Sequence, residues 1–309
     1  MKHCNRLPLM PAVPFSPCSG AGFTIVELVV SLSILGLLMA LLIPAIQSSR
    51  ESARRLKCAS QLREIGVALQ NFEATNQHFP HVTFQFKLLP FIDQKNLFDL
   101  IPSQNFESQG QLPTWELLGD HTVNLYCCAS DSGNNGAKGS NYLANFGSSF
   151  IDESGDGLFA LSGPIKTSDV VRGLSNTAAV AEGLVSIENP TRLRRVWGII
   201  PPVADTSTLP DVCERIALDP GSRGYPPLLG RGIPWYGGVV QAAAYNHLLS
   251  PNRPSCMNEY AARIVVLTSS SLHSDGVNLL YADGHVRFEN QMIDRGVWRE
   301  LGSRSGTPK

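Results

Sequence analysis

The sequence has almost no net charge: 25 lysines and arginines stand against 26 aspartates and glutamates, a formal −1 at pH 7. Without a basic excess the chain lacks the electrostatic footprint of a nucleic-acid binder, so no nucleic-acid partner is expected. It also has no C-x2-C pair and no His and Cys cluster at zinc-finger spacing, so local spacing supports no zinc. No Gly-x-Ser-x-Gly elbow frames a serine, and Ser175, His247 and Asp211 combine into a triad only on paper. Internal repeats and low-complexity tracts are missing as well. The chain is therefore expected not to be an enzyme and to carry no cofactor.

What the chain does have is one long apolar run. Phe23 to Ile43 is 21 residues with a single charge, Glu27, near its start. As a helix rising ~1.5 Å per residue it spans roughly 30 Å, about the hydrocarbon thickness of a bilayer. A carboxylate at the centre of such a span costs about 2.5 to 3.5 kcal/mol on insertion scales, so Glu27 is a functional candidate in need of a partner. An ordinary secretory signal would show a shorter apolar run followed by an A-x-A site, whereas Leu41-Leu42-Ile43-Pro44-Ala45 offers none. Arg50, Arg54, Arg55, Lys57 and Arg63 follow the span while only Lys2 and Arg6 precede it, so a bare positive-inside count places the amino terminus outside.

The segment Gly22-Phe23-Thr24-Ile25-Val26-Glu27, after a short polar leader, resembles the amino terminus of type IV prepilins and type II secretion pseudopilins. The resemblance implies cleavage between Gly22 and Phe23 by a prepilin peptidase facing the cytoplasm, and methylation of the new amino terminus. The Phe23 amino group then becomes a cation for Glu27 of a neighbouring subunit, offsetting the desolvation of a buried acid. Pro44 matches the family's helix proline, which removes one backbone hydrogen bond and kinks or locally melts the helix. The implied organisation is a leader over 1–22, a transmembrane helix over 23–43, an amphipathic extension over 44–79 and an exported head over 80–309. The implied partners are the peptidase, other pilin-like subunits and the lipid of the inner membrane, with the head on the periplasmic or extracellular side.

Beyond Pro44, Leu56, Leu62, Ile65, Leu69 and Phe72 recur at helical spacing, which predicts a helix to about Thr75 that ends near Asn76–Pro80. After Pro80, glycines and prolines punctuate short apolar runs, which reads as a mostly β head. Strands are expected over Thr177–Glu182 and Arg263–Ser269, a short helix or turn within Leu88–Leu100, and long loops over Asp131–Ser140 and Pro201–Pro234. Val277, Leu279 and Tyr281 alternate before Asp283-Gly284, and Val286 and Phe288 after it. This predicts a β-hairpin over 277–288 with a tight primed turn. The fold class is α+β: a long amino-terminal helix, half transmembrane and half amphipathic, packed on a pilin-like β-rich head.

Of the seven cysteines, Cys4 and Cys18 belong to the leader. The odd number left predicts at least one thiol that is free or paired between chains. Cys213 with Cys256 is the expected bridge, and adjacent Cys127 and Cys128 are not expected to bond each other.

The carboxyl end carries a second resemblance. His273, then nine residues, then Asp283-Gly284 form a signature shared with the bacterial family called domain of unknown function 1559. Cys58, Phe79-Pro80, Cys128, Asn141-Tyr142, Gly173–Glu182, Arg231–Trp235, Asn246-His247 and Cys256 fit it along nearly the whole chain. Ala129, Cys127 and His285 depart from its pattern. The family implies an envelope secretion or pilus-like system and no enzymatic activity.

Three weaker sites complete the reading. His273, Asp275, Asp283 and His285 are close enough in sequence for a metal or acid–base site, against the plainer alternative that Asp283 shapes the turn and His273 binds backbone. Asp152 and Asp156 are weak calcium candidates in a loop that lacks EF-hand order. Trp235 and Tyr236 are candidates for stacking on a sugar, or else buried packing. The leading expectation is a structural pseudopilin-like subunit. The alternative is an exported binding module that uses the prepilin signal only as an anchor and holds an envelope glycan or protein with its large head.

Overall fold

The computed structural model describes residues 24–81, 83–100, 121–134, 138–151, 155–185, 195–199, 203–216, 227–236, 243–258 and 264–306. The chain divides into two compact units, Met1–Ser49 and Arg50–Lys309.

Helix α1 (Ile25–Asn76) is 52 residues long and continues through Pro44. Of the two effects open to this proline, kinking or local melting, local melting does not occur. One missing N–H costs one ladder bond, and the strong helix formers around it, Leu41, Leu42 and Ala45, carry the helix across. At the far end Gln77 turns left-handed at φ 63° and donates its N–H to the Glu73 carbonyl at 2.7 Å, so α1 stops within a residue of the predicted point.

In the second unit α1 buries Cys58, Ala59, Leu62, Ile65, Gly66, Ala68, Leu69 and Phe72, positions three and four apart on one face. Leu56 does not belong to this stripe as expected; it is 65% exposed, because two residues before Cys58 is the opposite side of the helix. A short helix α2 (Phe84–Lys87) comes first, and the predicted Leu88–Leu100 region then holds a 3-10 turn (Leu89–Phe91) and a second short helix, α3 (Lys95–Asp99).

The head holds two mixed sheets. Strands β1 (Tyr142–Asn145), β2 (Ala178–Glu182), β5 (Ala244–Tyr245), β8 (Gly276–Tyr281) and β9 (Val286–Asn290) form one in the order β5-β1-β2-β8-β9. Strands β3 (Arg195–Ile199), β4 (Pro227–Gly230), β6 (Ser255–Asn258) and β7 (Val265–Val266) form the other in the order β4-β3-β6-β7. Pairs β1–β5 and β3–β6 are parallel, and the rest are antiparallel.

Both faces of the larger sheet are covered, so every residue of β2 and β8 is buried, including Glu182 and Asn278. Tyr142, Ala144, Ala179 and Leu280 join the buried stripe of α1. Leu143, Ala178, Val277, Leu279 and Tyr281 join Trp298 of a carboxyl-terminal helix (Arg295–Gly302). Asp294 caps that helix, accepting from the Gly296 and Val297 amides at 2.8 and 3.0 Å.

Three expectations are corrected. The proline-dense stretch 201–234 contains a helix, Leu209–Ile216, and strand β4. Pro210 lies in the helix's first turn, where a missing N–H has no ladder partner to lose, so proline here marks a start rather than a loop. The predicted strand Arg263–Ser269 shrinks to Val265–Val266; Arg263 lies outside the described residues. Beyond Val266 side chains replace the ladder: the Leu267 amide donates to Asn246 Oδ1 and the Thr268 amide to Ser255 Oγ, both at 3.1 Å.

The hairpin forms, with Gly276 opposite Asn290 and Leu280 opposite Val286, but its turn is not the primed one. Gly284 alone is left-handed, at φ 93°, while Asp283 is not. The Tyr281 carbonyl accepts from the Gly284 amide and the Tyr281 amide donates to the His285 carbonyl, both at 2.9 Å. This is a three-residue loop closed by a glycine bulge. Asp283 accepts from the His285 amide at 3.1 Å, which fixes it in the right-handed first half of the turn.

Candidate functional site

Two regions of α1 present unusual chemistry. From Thr24 to Ser49 every residue is exposed, including Leu28, Val29, Leu35, Leu41 and Ile43. An apolar surface of this extent is untenable in water, and this part of the helix is long and apolar enough to cross a membrane. The hydroxyls of Ser31 and Ser33 within it need no solvent, since each donates at 2.7 Å to the carbonyl four residues back. Glu27 caps its own helix: Oε2 accepts from the Thr24 amide and hydroxyl, each at 2.9 Å, while Thr24 Oγ1 accepts from the Glu27 amide at 3.2 Å. Gly22 and Phe23 lie outside the described residues.

The second region is where α1 meets the head. Cys58 on the helix is disulfide-bonded to Cys128, with Cα atoms 5.2 Å apart. Beside the bond lies His273. Its Nδ1 is 2.7 Å from Glu51 Oε1 on the helix, its Nε2 is 3.2 Å from Glu182 Oε1 at the end of β2, and Nε2 is also 3.7 Å from Cys128 Sγ. Burial of the ring opposes its charge, yet the hydrogen bonds and charges of Glu182 and Glu51 outweigh burial and raise its pKa above the ordinary value. Glu51 is in turn held by Arg54 at 2.8 Å and by the Ser130 hydroxyl at 3.0 Å. Glu182 accepts from the Asn278 amide at 2.7 Å and from its side chain at 2.8 Å.

The hairpin tip adds two further contacts to α1. A Cβ at Gly66 would stand 2.8 Å from Leu280 Cδ1 and 3.2 Å from the Gly284 backbone, so the helix approaches the tip closely only because residue 66 is glycine. Gln70 Nε2 donates to the Ala282 carbonyl. His273 and the Asp283-Gly284 turn thus touch α1 about four turns apart, and both ends of this stretch serve to dock the head on the helix.

The plainer expectation for His273, a backbone partner, is corrected: its ring faces two carboxylates and a sulfur. Asp283 does shape the turn, and its partner His285, 2.5 Å away, stacks on Tyr281 with ring centres 4.2 Å apart. Asp275 sits at φ 68° in the bend before β8, its carbonyl accepting from the Gln291 amide at 2.8 Å. These four residues do not assemble into one site.

Cys213 and Cys256 are bonded, with Cα atoms 5.8 Å apart, and Cys127 is a free thiol. Burial is the largest influence raising the Cys127 pKa, which makes it a poor nucleophile. The Cys58–Cys128 bond was not legible from spacing, because its ends lie 70 residues apart on a helix and a loop.

Other candidates resolve into packing. Asp156 is buried, its two oxygens accepting from the Ser148 amide at 2.8 Å and hydroxyl at 2.7 Å; Asp152 lies outside the described residues. Trp235 and Tyr236 are buried against each other edge to face, with the Trp235 indole donating to the His121 carbonyl at 2.7 Å, so neither offers a face to a sugar. His247 is buried between the Trp298 carbonyl at 2.7 Å and the Tyr245 hydroxyl at 3.0 Å, while Asp211 pairs with Arg295 at 3.0 Å on the surface, so no triad assembles with Ser175.

Comparison with curated proteins and with solved structures returns no match. The head and the second half of α1, the part that the disulfide, the His273 contacts and the hairpin tip bind into one body, coincide with a family match. Residues 47–296, well over half of the chain, fit the family described as protein of unknown function (DUF1559), and the chain belongs to that family.

Proposed function

We propose that the protein is a pilin-like exported subunit, anchored in the inner membrane by the first half of α1. In this reading it is cleaved between Gly22 and Phe23, methylated on Phe23, and assembles with like subunits as a pseudopilin of a secretion or pilus-like system. The observation that carries it is a helix whose first half is apolar and wholly exposed, with one carboxylate in its first turn, and whose second half is built into a folded head. Glu27 accepts from the Thr24 amide at its own helix start; in this reading it pairs on assembly with the freed Phe23 amino group of a neighbouring subunit. The role is structural and not catalytic, a reading supported by His247 and Asp211 being engaged with the Trp298 carbonyl and with Arg295 and not with each other.

Intact mass and amino-terminal sequencing of protein recovered from membranes test the reading. Wild-type chain should begin at N-methylated Phe23, and Gly22→Leu should retain Met1 and run as the longer precursor. A mature wild type that keeps Met1 would replace assembly with simple anchoring and leave the head as a binding module.

A further inference from the structure

Cys58, Cys128, Glu182 and His273 do more than tie α1 to the head. We propose that, when the Cys58–Cys128 bond is reduced, these four side chains form a tetrahedral zinc site, so that disulfide and metal are alternative cross-links at one place.

The geometry is nearly that of the occupied site. The two sulfurs, one ring nitrogen and one carboxylate oxygen all lie within 4.8 Å of one another. Zinc bonds of ~2.3 Å to sulfur and ~2.0 to 2.2 Å to nitrogen and oxygen place tetrahedral ligand atoms roughly 3.3 to 3.8 Å apart. The edges from His273 Nε2 are already 3.7 Å to Cys128 Sγ and 3.2 Å to Glu182 Oε1. The two sulfurs must move apart, which cleaving their bond allows, and the remaining edges, all within 4.8 Å, need at most about 1 Å of adjustment.

The surroundings are those of a metal centre. Glu51 accepts from His273 Nδ1 at 2.7 Å, which keeps the hydrogen on that nitrogen and turns Nε2 inward, the carboxylate–histidine arrangement that orients metal ligands. Asn278 holds Glu182 from two directions. All four candidate ligands are buried, as in closed structural sites without an open water position. A disulfide alone needs no buried acid and imidazole beside it; desolvating both is costly, and apolar packing would serve the bond as well.

The interconversion balances. A dithiol reductant gives two electrons and two protons to the Cys58–Cys128 bond and becomes a disulfide itself, leaving two thiols. Zinc then replaces both thiol protons, and any proton on His273 Nε2, and binds two thiolates, imidazole and carboxylate.

The test uses the full chain in detergent micelles, reduced with a non-chelating phosphine and supplied with zinc alone, then desalted and assayed for metal. Reduced protein should retain one zinc per chain and oxidised protein none, and zinc should raise the melting temperature of the reduced form. Cobalt(II) in place of zinc should give thiolate charge-transfer absorption and the visible bands of a tetrahedral ion. Glu51→Gln, which removes no ligand, should weaken zinc binding 10- to 100-fold while leaving the disulfide to form. Three results would overturn the proposal: reduced chain, folded by circular dichroism, that retains no metal; reduced chain that zinc fails to refold; or undiminished zinc in Cys58→Ser/Cys128→Ser, which would assign the metal to the remaining cysteines.

Discussion

His247 shows how much a single buried side chain sets the acid behaviour of the head. Desolvation, opposed only by its bond to the Trp298 carbonyl, pushes its pKa down to about 3, against about 6.5 for an ordinary histidine. The unfolded chain takes up a proton below pH 6.5 that the folded head refuses until near pH 3. The stabilisation is therefore complete above pH 6.5 and is lost as pH falls, by about 1.4 kcal/mol per unit through that window. Melting temperatures measured from pH 7 to pH 4 should fall steadily, and His247→Gln should flatten the slope even though it lowers the plateau. An unchanged slope in that variant would assign the acid sensitivity elsewhere. The ring also packs on Gly302, where any added Cβ would meet its carbons at 2.5 to 2.7 Å.

At the scale of elements, α1 is two helices in one. Its second half owes its place to the stripe from Cys58 to Phe72, and single truncations should report this. Leu62→Ala, fully buried, should cost about 2 to 5 kcal/mol, while Leu56→Ala on the exposed side should stay within about 0.5 kcal/mol, both read from thermal or denaturant unfolding of the same preparation. Equal losses would mean that the packed face is misassigned. Elements with strong local signals were legible in the sequence: α1 and its end, β2, and the 277–288 hairpin. What escaped was set by distant partners. Stretch 201–234 hid a helix because prolines read as loop wherever the first-turn exception is not recognised. The strand expected to Ser269 stopped at Val266 because side chains of Asn246 and Ser255 took over its hydrogen bonds. The hairpin turn differed because Asp283, capped by the His285 amide, stayed right-handed. The site was legible only in pieces: His273, Cys58 and Cys128 were each singled out, but nothing local joins them to Glu51 and Glu182, which come from other segments.

For the molecule as a whole, the division at Ser49 separates an exposed apolar stretch from a folded unit. The unit from Arg50 has its own core, two sheets and both disulfides, whereas residues 24–49, the described part of the preceding unit, bury nothing. A chain begun at Arg50 should therefore remain monodisperse without detergent in gel filtration or light scattering, while the full chain should require it. Aggregation of the shortened chain would show that residues before Arg50 cover an apolar face of the head. Closing a 70-residue loop, the Cys58–Cys128 bond contributes on the order of 4 kcal/mol to the stability of this unit by chain-entropy arguments.

That bond also decides how the molecule bears load. Going along α1 from its apolar end, Cys58 is the first fully buried residue, ahead of Leu62, Ile65 and Leu69. A pull on the apolar end reaches the Glu51–His273 ion pair and then a covalent link, before any packed side chain is asked to slide. Apolar packing resists shear poorly, because each contact is non-directional and re-forms one turn along. The helix is thus pinned at its entry to the head, and tension stops at Cys58 without drawing the stripe out of its groove.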